Sequence, residues 1–310
     1  MQHPTNKPLI LEIKGNTLDD GPGIRSVIFF KGCPLKCSWC HNPESKKIQT
    51  EIAFDPKLCL NCGDCRNICS KDALSLDYRC YIDRSRCDLC FECTKICPSG
   101  AISKVGTFMN IDDILNAVLS DKPFFDISGG GVTLSGGEAT LFMDFASDLL
   151  RALKKHTIHT LLETCGQFDF DKFMNMIYPH VDTLYYDIKL IENTAHKKHC
   201  GIGNKRILSN LSLLTRQAEK DGKCLLPRTP LIPGITDTKT NIFGIADFLK
   251  NLGIHKAALL EYNPLWHEKS ENIGDVNKYK DNKKLNHFED GSILKKCKRI
   301  FQYAGIEVCG

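Results

Sequence analysis

Three cysteines in one short stretch have the spacing of an iron–sulfur ligand set. The stretch KGCPLKCSWCHNPES places Cys33, Cys37 and Cys40 in the pattern C-x3-C-x2-C. Three thiolates this close can hold three irons of a [4Fe–4S] cluster. Because no fourth cysteine follows at a suitable spacing, one iron is left open to bind a substrate or cofactor. A structural zinc knuckle uses the same residue types and is the alternative, so the cysteines alone leave the metal open.

A second group of cysteines forms an internal repeat between residues 54 and 104. Two runs of C-x2-C-x2-C-x3-C follow each other at an offset of 28 residues, and flanking residues such as Asp55 and Asp83 repeat at the same offset. This duplication is the signature of the two-cluster bacterial ferredoxin, in which the fourth cysteine of each run ligates the other cluster. Zinc binding is the alternative for either half alone. The predicted cluster ligands are Cys59, Cys62, Cys65 and Cys97 for one cluster, and Cys87, Cys90, Cys93 and Cys69 for the other.

The composition limits the classes of protein to which the chain can belong. Its 310 residues suffice for one large domain or two smaller ones, and a hydrophobic content of 42% allows a substantial core. The formal net charge of +4 is too small to indicate a nucleic-acid or membrane partner, and we recognise neither a signal peptide nor a transmembrane segment. Seventeen cysteines, most of them clustered, indicate metal binding in a reducing compartment. We expect a cytoplasmic protein from an anaerobic setting.

The elements that must position these motifs alternate between apolar strands and amphipathic helices. The predicted strands are 24–31, 131–135, 158–163, 183–188, 225–232 and 257–262. The predicted helices are 111–119, 141–153, 171–177, 204–219, 240–251 and 293–303. Six β/α units indicate a parallel barrel or a doubly wound sheet. The polar residues 267–291 show no period, and we expect a loop there that can close as a lid.

Polar residues gather at the carboxyl ends of the predicted strands. The cysteine loop follows the first strand, and later strands end at Gly136, Gly137 and Glu138, at Glu163 and Thr164, at Asp187 and Lys189, and at Tyr262 and Asn263, while Arg228 lies within the fifth strand. In α/β barrels the carboxyl ends of the strands share one mouth, where the functional residues lie. The sequence therefore predicts one site, to which all six strands contribute.

The segments that carry these residues resemble a known family. GPGIRSVIFFKGCPLKCSWCHNPES resembles the cluster loop of radical S-adenosylmethionine (SAM) enzymes, and more narrowly that of the activating enzymes of glycyl radical enzymes, of which the pyruvate formate-lyase activating enzyme is one. SGGGVTLSGGEA, RTPLIPGITD and the Asp187-Ile188-Lys189 motif resemble the same family. LLEYNPLW is similar to a segment in which relatives often carry histidine where this chain has Asn263. The resemblance covers about residues 9–45 and 106–265.

This resemblance implies an α/β fold and a set of cofactor contacts. The fold is an incomplete (β/α)6 radical SAM barrel formed by residues 1–48 and 106–310, with a bacterial-type 2[4Fe–4S] ferredoxin domain inserted at 49–105. The residues expected to contact SAM are Trp39, Cys40, His41, Gly136, Gly137, Glu138, Glu163, Asp187, Ile188, Lys189, Arg228 and Asn263. In the family the lysine can pair with the SAM carboxylate and the aspartate with its amino group. Core packing is the alternative for Trp39, and His267 is the alternative to Asn263.

The activity implied by the resemblance is radical formation on another protein. A flavodoxin or ferredoxin delivers an electron, the two inserted clusters relay it, and the site cluster uses it to cleave SAM into methionine and a 5′-deoxyadenosyl radical. The radical then removes a hydrogen from a glycine of a partner glycyl radical enzyme. The implied protein is a monomeric oxidoreductase of the formate C-acetyltransferase-activating type, with three [4Fe–4S] clusters and SAM as cofactors. The alternatives are a radical SAM enzyme acting on a small molecule and an electron-transfer ferredoxin protein.

Overall fold

A nine-stranded sheet dominates the computed structural model, which describes residues 7–78, 81–275 and 279–309. The strands of the chain are β1 Leu9–Thr17, β2 Arg25–Lys31, β3 Glu51–Phe54, β4 Ile102–Val105, β5 Thr107–Phe108, β6 Gly131–Gly136, β7 His159–Thr164, β8 Thr183–Asp187, β9 Cys224–Pro230, β10 Lys256–Leu260 and β11 Glu307–Cys309. The order in the large sheet is β11-β10-β9-β8-β7-β6-β2-β1-β5, while β3 pairs with β4 separately.

The central part of the sheet is parallel. Strands β2 and β6 to β11 run in the same direction, whereas β1 pairs antiparallel with both β2 and β5. All six predicted strands are present, as β2 and β6 to β10, and their ends differ from the predicted ends by at most two residues. The predicted α/β class is confirmed. Among the described strands, β5 and β11 form the two open edges of the sheet.

Helices connect the parallel strands and cover one face of the sheet. They are α1 Asp64–Ile68, α2 Glu92–Ile96, α3 Ile111–Leu119, α4 Lys122–Ser128, α5 Met143–Lys155, α6 Phe170–Met176, α7 Asn193–Cys200, α8 Lys205–Asp221, α9 Lys239–Asn251, α10 Trp266–Asn272 and α11 Ser292–Tyr303. The six predicted helices correspond to α3, α5, α6, α8, α9 and α11. No helix within the described ranges combines the length and the apolar character needed to cross a membrane.

The alternation of side chains along the strands divides the sheet into an apolar and a polar face. On the apolar face, Ile28, Val132 and Leu162 are buried in one cluster with residues of α5 such as Leu149. The opposite face carries the polar residues of β6 to β9, which are Ser135, Glu163, Tyr185, Asp187 and Arg228. Burial of one face by helices leaves the other face free to form a polar site.

The segment with the repeated cysteines forms a small unit beside the sheet. Strands β3 and β4 pair antiparallel, from Glu51 opposite Val105 to Phe54 opposite Ile102, so this segment enters and leaves the larger fold at one place. It has its own apolar cluster, which consists of Ile52, Cys65, Leu74, Tyr81, Ile82, Cys93 and Ile102. The ammonium group of Lys31, at the end of β2, donates to the Glu51 carboxylate at 2.6 Å. This buried ion pair ties the small unit to the strand that leads into the cysteine loop.

The expectation that residues 267–291 form only a loop is wrong for the first part of that range. Helix α10 spans Trp266–Asn272 and buries Trp266 and Ser270, so its single apolar face is too short to produce a visible period. From the same helix, Lys269 donates to the Glu44 carboxylate at 3.0 Å, beside the cysteine loop. Within the same range, residues 276–278 lie outside the described residues.

Candidate functional site

The cysteine loop follows β2 and is held at both sides by backbone hydrogen bonds. Gly32 N–H donates to Ser45 O at 2.7 Å, which closes the loop on its own tail. Lys36 N–H donates to Cys200 O at 2.8 Å, so the middle of the loop is bound to the carboxyl-terminal end of α7. The position of the loop, and so of its three thiols, is therefore fixed both by its own tail and by α7.

Two cysteines outside the motif face the thiols of the loop. Cys165, directly after β7, is hydrogen-bonded to Cys33, and this bond and burial raise the pKa of the Cys165 thiol. Cys200, at the end of α7, is hydrogen-bonded to Cys37, which raises the pKa of Cys200 and lowers that of Cys37. Sequence reasoning missed both residues. For Cys165 a signal existed, because it directly follows the polar end of a predicted strand.

The donor set of the loop fits an iron–sulfur cluster in its chemistry. The pKa of Cys40 is raised to about 12, first by burial and then by the charges of Cys37 and Cys33, which shows that the three sulfurs lie within each other's electrostatic field. Iron would hold such thiolates in the deprotonated form. Among the described residues, no three Cys, His, Asp or Glu side chains converge closely enough to ligate a single metal ion.

A row of alternating charges crosses the polar face near this loop. Arg228 on β9 donates through Nη1 to Glu163 at 2.5 Å and through Nη2 to Asp187 at 2.9 Å. Lys189 donates to the other oxygen of Asp187 at 3.0 Å, and Ser135 donates to Glu163 at 2.6 Å. Asp187 and Arg228 meet because they are register partners in the parallel pair β8–β9. The structure thus brings together four of the residues predicted to contact the cofactor, from three neighbouring strands.

The pKa shifts of Asp187, Lys189 and Arg228 favour their charged forms. Burial alone would raise the pKa of Asp187, but the charges of Lys189 and Arg228 outweigh burial and lower it. Burial alone would lower the pKa of Lys189, but Asp187 and the thiols of Cys37 and Cys165 raise it. Lys189 therefore remains a cation between the carboxylate row and the cysteine loop.

The paired glycines at the end of β6 allow two backbones to come close together. Gly136 has a φ of +99°, and a Cβ atom there would collide with the backbone of Phe30. A Cβ atom at Gly137 would collide with the carbonyl oxygen of Gly32, at the start of the cysteine loop. The amide of Glu138 also donates to Gly32 O at 2.8 Å. The close approach seen in the structure is thus to the cysteine loop, and the predicted approach to SAM remains a prediction.

Gly137→Ala should disturb the cysteine loop and lower the iron content of the protein. The added methyl group has backbone atoms as its neighbours, so the loop must shift, at a cost of about 1–3 kcal/mol in unfolding free energy. Gly129→Ala is the matched control, because Gly129 has positive φ but nothing within 4 Å of an added Cβ. Iron assays and thermal unfolding after anaerobic reconstitution provide the measurement. Equal iron losses in the two variants would contradict the steric explanation.

The carboxylate of Glu138 is buried and fully used by the protein. One oxygen accepts from the hydroxyls of Thr140 at 2.7 Å and Thr164 at 2.9 Å, and the other accepts from the amide of Cys165 at 2.7 Å. These bonds tie the end of β6 to the end of β7. The structure gives Glu138 a positioning role, and its predicted contact with SAM remains a prediction.

Two other residues predicted to contact the cofactor have their side chains in the hydrophobic core. Trp39 is 4% exposed and packs against His199 with the ring centroids 6.0 Å apart, as the core-packing alternative expected. Ile188 is 1% exposed, and its amide donates to Arg228 O at 2.8 Å. Their positions favour roles in packing, and contact with SAM through either side chain remains a prediction.

The structure separates the two candidates for the nucleoside end of the cofactor. Asn263 lies in hydrogen-bonding contact with His41, whose pKa is lowered mainly by burial. His267 instead stacks on Trp266 with the ring centroids 3.8 Å apart and contacts the carbonyl oxygen of Leu285 at 2.6 Å. Asn263 and His41 are thus beside the cysteine loop, while His267 is engaged elsewhere.

The repeated cysteines lie in two groups around α1 and α2. The pKa of Cys93 is raised to about 12, first by burial and then by the charges of neighbouring thiols, of which Cys87, Cys90 and Cys69 contribute more than Cys65. These four are the set predicted for one of the two inserted clusters. In the other predicted set, Cys65 on α1 is buried and its sulfur is 3.1 Å from the hydroxyl of Tyr81.

Known proteins resemble this chain in sequence and in fold. The model of the Radical SAM superfamily matches residues 27–242. The chain is 40% identical to the isethionate sulfite-lyase activating enzyme of Nitratidesulfovibrio vulgaris, over 84% of this chain and 86% of the relative. It is 34% identical to the trans-4-hydroxy-L-proline dehydratase activating enzyme of Clostridioides difficile, over 95% and 96%. A crystal structure of a radical SAM methyltransferase from Sphaerobacter thermophilus, 11% identical, matches with a TM-score of 0.55 over 99% of this chain and 77% of that one, a likeness of fold alone.

Proposed function

This chain belongs to the Radical SAM superfamily, among the activating enzymes of glycyl radical enzymes, and on that premise we propose that it cleaves SAM and removes a hydrogen atom from a glycine of a partner protein. When bound, the iron–sulfur cluster and SAM supply the chemistry, which is one-electron cleavage of a carbon–sulfur bond to give methionine and a 5′-deoxyadenosyl radical. The residues of the chain bind and orient these groups and exclude water.

The observation that carries the proposal is the position of Lys189. Its ammonium group lies in the electrostatic field of the Asp187 carboxylate, of the cluster thiol Cys37 and of the neighbouring Cys165 thiol. A ligand with an amino-acid end placed beside the cluster would find a cation for its carboxylate in Lys189 and an anion for its ammonium group in Asp187. Arg228 on β9 donates to Asp187 and is itself held by Glu163 on β7. Asn263 and His41 are proposed to contact the nucleoside.

The finer features of the fold and cofactors are part of the same proposal. We assign residues 1–48 and 106–310 to an incomplete (β/α)6 barrel and 49–105 to an inserted ferredoxin-type domain. The grouping of Cys93 with Cys87, Cys90 and Cys69 supports two clusters in the insertion, and hence three in the chain. A flavodoxin or ferredoxin would supply the electron, and the inserted clusters would relay it.

The partner and setting are proposed from the relatives. The partner is a glycyl radical enzyme, and the protein acts as a cytoplasmic monomer in an anaerobic setting. The names of the relatives specify the activation of a sulfite-lyase and a dehydratase, so the formate C-acetyltransferase-activating type is not supported. Expression with the lyase or dehydratase encoded beside this chain's gene would identify the partner.

The decisive experiment follows the hydrogen atom. The anaerobic protein is incubated with dithionite, SAM and a partner protein carrying α-deuterated glycine. Deuterium should enter 5′-deoxyadenosine, and the partner should show a glycyl radical by electron paramagnetic resonance (EPR). Deuterium-free 5′-deoxyadenosine, formed at the same rate with and without the partner, would contradict the proposal and favour a small-molecule substrate. Failure to cleave SAM at all would favour the electron-transfer alternative.

Lys189→Met should weaken SAM binding by about ten- to a hundred-fold. A charge-assisted bond between an ammonium group and a carboxylate is worth roughly 1.5–3 kcal/mol, and each 1.4 kcal/mol is about tenfold in affinity. Asp187→Asn should weaken binding less, because the amide keeps an acceptor oxygen. Equilibrium titration of iron-matched, anaerobic proteins provides the measurement.

Lys36→Met is the matched control for this variant. Lys36 is an exposed lysine of the cysteine loop, so its loss removes a charge near the cluster without removing a contact of the charge row. It should bind SAM as the parent does. Parent-like affinity in Lys189→Met would show that the lysine does not grip the cofactor.

A further inference from the structure

The two halves of the cysteine repeat differ in the hydroxyl groups that face their sulfurs. In the set of Cys59, Cys62, Cys65 and Cys97, the sulfur of Cys65 is 3.1 Å from the hydroxyl of Tyr81, and that of Cys97 is 3.7 Å from the hydroxyl of Ser99. In the set of Cys87, Cys90, Cys93 and Cys69, the sulfur of Cys69 accepts only from the amide of Ala73, at 3.4 Å. Among the residues that the structure describes, no hydroxyl group is bonded to a sulfur of this second set.

Tyr81 is held firmly in the position that makes this contact. The residue is 6% exposed, and its ring stacks on Phe54 with centroids 4.3 Å apart and an interplanar angle of 21°. Its backbone has a φ of +62°, which is rare for a tyrosine, and its amide donates to Tyr78 O at 2.9 Å. The surrounding structure thus maintains a strained backbone that aims a phenol at a cluster cysteine.

The difference is present in the sequence as well. Cys65 and Cys93 are equivalent in the repeat and both are buried, on α1 and α2. Ser99 has Lys71 as its equivalent 28 residues earlier, so the second set has no serine at that place. Duplication alone would give two alike clusters, and the hydroxyl groups make them unlike.

The chemical consequence follows from the charge that reduction adds. An iron-bound thiolate has no proton, so a hydroxyl group beside it must donate. A donor to a cluster sulfur stabilises the more negative, reduced cluster and raises its reduction potential. We propose that the hydroxyl groups of Tyr81 and Ser99 make the cluster of Cys59, Cys62, Cys65 and Cys97 the more easily reduced of the two inserted clusters. This inference rests on the proposed presence of both clusters, and Tyr81 acts in it as a positioning residue.

The test is a redox titration monitored by EPR on the full chain. The background carries alanine at Cys33, Cys37 and Cys40, so that only the inserted clusters are observed. Two potentials are expected, and Tyr81→Phe should shift the higher one downwards while leaving the lower one in place. The expected shift is about tenfold in the ratio of reduced to oxidised cluster, or about 59 mV for a one-electron couple. Ser99→Ala should shift the same potential in the same direction by less, because its contact is longer.

Tyr78→Phe is the matched control. The hydroxyl of Tyr78 bonds to Arg86 at 3.1 Å in the same unit and is hydrogen-bonded to no cysteine within the described ranges, so its removal should shift neither potential. Unchanged potentials in Tyr81→Phe at full iron content, or a shift of the lower potential, would overturn the proposal. Loss of iron from Tyr81→Phe would also overturn it, because the phenol would then hold the cluster rather than tune it. A background protein with only about four irons would instead refute the proposed pair of inserted clusters.

Discussion

Alanine at Cys33, Cys37 and Cys40 together should abolish SAM cleavage and remove about four irons per chain. The three thiols belong to one loop, and the charges of Cys33 and Cys37 act on Cys40, so they behave as one ligand set. Without the cluster, no electron can reach SAM. Iron assays and the formation of 5′-deoxyadenosine under dithionite provide the measurement. Undiminished cleavage in this variant would end the assignment of the loop.

Cys165→Ala and Cys200→Ala, made singly, test whether the cluster really has an open iron. Both thiols contact the cysteine loop, but neither belongs to the C-x3-C-x2-C motif. With three cysteine ligands and one open iron, each variant should keep its iron and continue to cleave SAM. Loss of about four irons from either variant would reveal a fourth protein ligand and contradict the open site.

The sequence predicted the parallel strands well because each one carries a strong local signal. Strands β2 and β6 to β10 are apolar and bounded by turns, and their ends were correct to within two residues. The edge strands β5 and β11, and β1 beside β5, were not predicted. For β5 and β11, with two and three residues, no period can be read. For β1 the alternation is present, but it is interrupted by a register shift near Ile10 and by another before Thr17.

The sequence predicted which residues belong to the site, but not which of them form ion pairs or hydrogen bonds with each other. The sequence placed Glu163, Asp187 and Arg228 at or near the carboxyl ends of successive predicted strands, and the structure brings these three side chains together. Which of them pair depends on the register between β8 and β9, and sequence patterns do not determine the register. The same limit applies to Cys200, which reaches the cysteine loop through α7, a helix whose short polar sequence hides its buried face.

Arg228 is the residue on which the charge row depends. Its side chain is 9% exposed, and it is shared between Glu163 and Asp187, whose side chains are 13% and 22% exposed. The guanidinium also lies over the ring of Tyr185, 4.9 Å from its centroid. Without this cation, Asp187 would keep its ion pair with Lys189, while Glu163 would lose the cation that pairs with it here.

Arg228→Met should lower the free energy of unfolding by about 3–5 kcal/mol, because removing one partner of a buried ion pair leaves uncompensated charges. Arg228→Lys is the matched control. It keeps the charge but loses the planar fork that reaches both carboxylates, so it should lose less stability. Denaturant unfolding of the anaerobic, iron-loaded proteins, followed by circular dichroism, provides the measurement. A midpoint for Arg228→Met equal to that of the parent would show that the row contributes nothing to stability.

The deficit of Arg228→Met should be smaller at pH 5.5 than at pH 7.5. In the parent, Lys189 and Arg228 hold the pKa of Asp187 below its unfolded value of about 3.9. The stability that Asp187 gains from these two cations is therefore fully present above about pH 3.9, and it is lost only as the pH falls through the lower folded-state pKa. In the variant, burial remains but one of the two cations is gone, so the pKa of Asp187 should rise. A group whose folded-state pKa is raised takes up a proton on folding, and the variant should therefore gain stability relative to the parent as the pH falls. An equal deficit at both pH values would mean that lost packing of the arginine side chain, rather than unpaired charge, destabilises the variant.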